Sequence, residues 1–120
     1  MTAQQQYTVD KLLKNLALLE EHAKDYTAQP SDFCVECMEK HLLTISGLAE
    51  EGIGFFGAQE GKWFGQIVQW ADAQRVNLDA MDAQRAEKLV EAARDFRKKL
   101  VAGTSPCMVC REAAARHLPK

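Results

Sequence analysis

The segment CVECMEKH, residues 34–41, sets Cys34 and Cys37 three positions apart with His41 four further on, and CMVC repeats the spacing at Cys107 and Cys110. These four are all the cysteines of a 120-residue chain. Thiolates are soft ligands and good nucleophiles, and two C-x2-C pairs together supply the donor set of a four-sulfur zinc site or of an iron–sulfur cluster. In each segment a residue suited to helix capping, Asp32 or Ser105, stands two positions before the first cysteine. Each pair is therefore expected at a helix N-terminus, its thiols one turn apart. The unpaired backbone N–H groups and positive dipole end found there favour thiolate over thiol.

Two such helix ends facing each other would hold a metal with four sulfurs. Four thiolates and Zn2+ sum to −2, which the helix ends, Lys40 and Arg111 would offset. On a helix, Cys34, Cys37 and His41 project within about 60° of one another, so His41 is an alternative ligand or a donor to a ligating sulfur. His117 lies about 10 Å along a helix from Cys110 and is left out. A zinc ion would tie Cys34 to the distant Cys107. Its binding, worth about 10–16 kcal/mol in small zinc modules, exceeds the usual stability of a domain this size. An iron–sulfur cluster uses the same donors, and the plainer alternatives are two disulfides or four packed cysteines. A thioredoxin-type motif would want a strand before the pair, and no strand pattern precedes it.

Enzyme signatures are sparse. None of His22, His41 or His117 ends an E-x-x-H, and there is no H-E-x-x-H, no phosphate-binding G-x4-G-K-[ST] and no G-x-S-x-G. A full set of four sulfurs closes a zinc ion to water, which argues for a structural ion and a non-enzymatic protein. The basic run RDFRKKL, residues 94–100, reads as a solvated helix face rather than a nucleic-acid site.

The elements that must position these residues are helical. From Thr8 to Ala28 the apolar residues Val9, Leu12, Leu13, Leu16, Leu19, Ala23 and Tyr26 step by three and four. Pro30 stops that helix, and Ser31 or Asp32 opens a second one whose stripe is Val35, Met38, Leu42, Ile45 and Ala49. The Gly/aromatic stretch EEGIGFFGAQEGKWFG predicts a break between about Gly52 and Gly61. Its rings, Phe55, Phe56, Trp63 and Phe64, either cover the end of the core, the commoner use of such residues, or form a partner-binding surface. Residues 66–102 hold no glycine or proline, and a turn near RVNLDAMD, capped by Asn77, Asp79 or Asp82, is expected to divide them into two helices. Gly103 ends the last long helix, and Ser105 and Pro106 open a short terminal one. The expected fold is all-α: one domain over 1–120, a small bundle of four helices plus a short C-terminal helix, with the two C-x2-C helix N-termini brought together.

The formal charge of −2 argues against generic attraction to nucleic acid or acidic membranes. It hides an asymmetry: residues 1–82 carry six Lys/Arg against thirteen Asp/Glu, residues 83–120 nine against four. Such halves suit internal pairing or contact between copies. The start MTAQQQYTVDKLLKN lacks the pattern of a signal peptide and no run reaches the length of a membrane span, so a cytoplasmic or virion-associated location is expected.

CVECMEKHLLTISGLAEEG followed by KWFGQIVQWADA resembles a group of small helical proteins from phages, archaea and bacteria with a C-x2-C-x2-KHL-like helix start. Cys34, Cys37, Lys40, His41 and Leu42 carry the likeness, with Glu50 and Glu51 at an acidic helix end; it spans residues 34–73. The resemblance implies a metal-binding helical protein and no particular activity; the CMVC segment departs from the group's pattern. Taken together, the residues predict a non-enzymatic module with a structural zinc ion, bound to a protein partner or to another copy of itself. The alternative is a small iron–sulfur or dithiol redox carrier.

Overall fold

The computed structural model describes residues 2–29, 31, 33–56 and 58–103, with the side chains of 58–61, 102 and 103 left out. Four helices account for nearly all of it: α1 Ala3–Ala28, α2 Val35–Phe55, α3 Ala58–Gln74 and α4 Ala83–Gly103, with a 3-10 turn, Leu78–Ala80, before the last. The described residues contain no strand, so the chain is an all-α bundle. The expected short C-terminal helix lies outside the described residues.

α1 begins six residues ahead of Val9, the first residue of its apolar stripe. Thr2 and Gln5 form a reciprocal capping box, Gln5 N–H donating to Thr2 Oγ1 at 3.1 Å and Thr2 N–H to Gln5 Oε1 at 2.8 Å. The polar start QQQ has no apolar period to announce it. Val9, Leu12, Leu13, Leu16, Leu19 and Ala23 are then fully buried, as their spacing requires.

α2 runs unbroken through Gly52 and Gly54 and stops at Phe55, so the Gly/aromatic break is confined to a short connection before Ala58. Gly52 has a packing reason to be glycine. A Cβ there would stand 2.5 Å from the Phe64 ring, which is fully buried and stacked on Phe56 with centroids 5.0 Å apart. α2 and α3 therefore close on each other at their joined ends. Further along, Ser46 donates to Asp72 at 2.9 Å across the same pair.

The turn between α3 and α4 falls at RVNLDAMD. Asn77 takes a left-handed conformation, φ 55°, which a short polar side chain tolerates. Asp82 is the residue that caps α4, its Oδ1 accepting from Arg85 N–H at 2.7 Å. Arg85 in turn donates to the carbonyls of Gln74, Val76 and Asn77, and so places a cation on the exposed C-terminal end of α3.

α1 is the spine. α2 and α4 both pack on it antiparallel, α3 packs on α2, and α4 meets α3 only sparsely, through Trp70 against Phe96 and Lys99 over the Trp63 ring. The Tyr26 hydroxyl donates to the Met81 carbonyl at 2.8 Å, pinning the end of α1 to the start of α4.

One ion pair is inside this core. Glu20 of α1 accepts from Arg94 at 2.7 and 3.1 Å, pairs with Lys24 at 3.3 Å and is bonded by Arg97, which is 1 % exposed. Reading RDFRKKL as a solvated face fails for Arg97, because this residue falls on the apolar stripe of Ala86, Leu89, Ala93 and Leu100. Burial pushes the Glu20 carboxyl up, but the Arg94 hydrogen bond, the Arg97 charge and Lys24 outweigh it and hold the group below its ordinary value.

Candidate metal and thiol site

Cys34 and Cys37 occupy the start of α2. The helix opens later than Ser31 or Asp32 would open it, and Cys34 is itself the N-cap, extended at φ −103° and ψ 105°. Its Sγ accepts the Cys37 backbone N–H at 3.2 Å, and its carbonyl accepts from Met38 N–H at 3.2 Å. Sulfur thus does what a serine or aspartate oxygen does at other helix starts. Both thiols are free and half-exposed.

The two sulfurs are unequal. A hydrogen bond from the Cys37 thiol, then the Cys37 backbone N–H, lowers the Cys34 pKa. The same thiol–thiol bond, then burial and the nearby Cys34 charge, raises that of Cys37. The helix N-terminus and this bond both favour the thiolate on Cys34 over that on Cys37.

His41 does not join them. Its ring lies against His22 of α1, centroids 4.9 Å apart, and burial followed by the His22 charge lowers its pKa. Among the described residues no three Cys, His, Asp or Glu side chains form a group that could hold a metal ion. The 60° projection that made His41 an alternative ligand assumed a helical Cys34. Cys34 is instead an N-cap with extended ψ, so that projection does not describe it.

Cys107 and Cys110, the other half of the expected donor set, lie outside the described residues, as do Arg111 and His117. The partner-binding rings divide. Phe64 is fully buried and Phe56, stacked on it, is half-buried; this withdraws Phe64 as a partner surface, since its ring fills the space that Gly52 leaves. Trp63 is half-buried under Lys99, and Phe55, 37 % exposed, is the one that faces water.

Three features escaped the sequence reading: sulfur capping, the His22–His41 contact and the Glu20–Arg97 pair. The last had a signal. Glu20 continues the stripe of Leu13 and Leu16, so two opposite charges stood at core-facing positions. No helix of the described residues is long and apolar enough to cross a membrane. No family model, no curated protein and no solved structure matches the chain.

Proposed function

We propose that the protein is a non-enzymatic helical assembly module whose Cys34 and Cys37 form half of a four-sulfur zinc site, completed by Cys107 and Cys110. The observation that carries this reading is the thiol pair itself. Two soft donors stand together at a positive helix end, half-exposed, and neither is sealed in a core or in a disulfide. Residues that only packed would be buried among apolar groups. Cys34 and Cys37 would hold the ion, and the ion would supply a rigid cross-link between distant segments.

Elemental analysis of protein purified anaerobically without chelator tests it. About one zinc per chain, lost in C34S/C37S, is expected for a four-sulfur site. Metal-free protein refutes the reading, and iron with sulfide and a broad visible band replaces zinc by a cluster on the same cysteines.

A dithiol reading has its own observation in the Cys37 N–H donated to Cys34 Sγ, a geometry that also suits an attacking thiolate with a resolving partner. In that case a low-molecular-weight disulfide would be reduced to two thiols as Cys34 and Cys37 close into a disulfide. Stoichiometric loss of both free thiols on incubation with such a disulfide, absent in C37S, would favour it over zinc.

A further inference from the structure

We infer that His22 and His41 form a metal site of their own, a two-imidazole seat between α1 and α2 for a divalent transition-metal ion. It is separate from the thiol pair and stands whether or not the cysteines hold zinc.

The two histidines come from different helices and meet in the seam that α1 and α2 share. His22 falls between the buried Leu19 and Ala23 in the sequence of α1, and His41 between the buried Met38 and Leu42 in that of α2. Their rings lie with centroids 4.9 Å apart and planes 32° from parallel. An aliphatic pair would fill such a seam without taking polar nitrogens out of water. Apart from each other, neither ring has a hydrogen bond or ion pair among the described residues, so the nitrogens are at liberty to ligate. Both rings are only half-buried, which leaves an approach from solvent.

The spacing matches joint ligation. Imidazole nitrogens bind such ions at about 2.0–2.1 Å, and with about 90–110° between the two bonds the ring centroids stand about 4.5–5.3 Å apart. The observed 4.9 Å lies inside that interval. Turning an imidazole about its Cβ–Cγ bond hardly moves its centroid, and that torsion is soft. Centroid spacing is therefore the quantity that fixes whether two rings share an ion without a shift of the helices.

The chemistry agrees. Neutral imidazole is the ligating form, and burial followed by the His22 charge lowers the His41 pKa, which favours it. Imidazole suits nickel, copper and zinc, whereas magnesium and calcium want oxygen. Among the described residues no third Cys, His, Asp or Glu completes the group, so water takes the other positions. Such an ion exchanges more readily than one closed in by four sulfurs. While bound, it ties α1 to α2 one turn past Cys37.

The test titrates Ni2+ by calorimetry into the cysteine-free chain C34S/C37S/C107S/C110S, alone and with H22Q or H41Q added, each first checked for helical content. One Ni2+ per chain is expected. H22Q and H41Q should each weaken it by about a hundredfold, the scale of gain from linking two contacts. A folded cysteine-free chain that takes up no nickel overturns the inference, because any ion then belongs to the thiols. Uptake that survives H22Q or H41Q unchanged also overturns it. Should the cysteine-free chain fail to fold, the imidazole 15N shifts of wild type in excess Zn2+ decide. Movement of both His22 and His41 to metal-bound values supports the site, and either ring staying at its free value refutes it.

Discussion

Replacing Glu20 tests whether the ion pair in the core is a structural necessity of this sequence. In E20Q the Arg97 guanidinium, 1 % exposed, loses its charge partner and has no water to replace it. Arg94 and Lys24, with side chains 46 % and 55 % exposed, remain hydrated and contribute little to the loss. Stranding one buried charge costs about 3–5 kcal/mol, and Gln, which still offers a carbonyl, should fall near 3. For a chain of this length that is a drop of about 10–15 °C in Tm. The effect is asymmetric. Arg97 has only Glu20 as a charge partner among the described residues, whereas Glu20 keeps Arg94 and Lys24, so R97M should cost less than E20Q, and E20L/R97M should recover most of the wild-type stability. Acid titration gives a second reading. Because the folded carboxyl lies below its ordinary value of 4.5, its contribution is present above that value and is lost as pH falls through the folded pKa. E20Q should therefore lack this part of the acid limb. Thermal and urea melts of the four proteins suffice, and an E20Q loss under about 1 kcal/mol would refute the argument, since that is the scale of exposed pairs.

Two glycines two residues apart should respond with opposite signs. G54A meets open space and should stabilise α2 by about 0.5–1 kcal/mol, whereas G52A drives a methyl into the Phe64 ring and should cost about 1–3 kcal/mol despite its better helix propensity; urea midpoints read both. R85A removes the cation that bonds three carbonyls at the end of α3 and should cost about 1–2 kcal/mol, below the full value of charged hydrogen bonds because two of its three contacts are exposed. An unchanged melt for R85A would show that water replaces it there.

The helices were legible because their apolar residues repeat at three and four, and the α3–α4 turn because Asp82 offers a cap in a stretch without glycine or proline. The start of α1 was not, since its capping box lies in front of a polar segment with no period. The site was half legible. Spacing identified Cys34 and Cys37 as a pair at a helix start, but propensity gives capping to Asp32 and not to sulfur, so an N-cap two residues further on, at Cys34, carried no signal. That α2 and α4 both run antiparallel to α1 is a property of how the helices pair, which no local motif carries.

The sparse meeting of α3 and α4 gives the bundle an open side. With α4, α1, α2 and α3 joined in that order like panels of a folding screen, the last seam is held by Trp70 on Phe96 and by Lys99 over Trp63. Partial unfolding costs least where the fewest apolar contacts must separate, so the screen should part along this seam before it parts elsewhere. Indole fluorescence and amide exchange in α3 would then report a sub-global opening while the α1 spine, sealed on both flanks, exchanges only with complete unfolding.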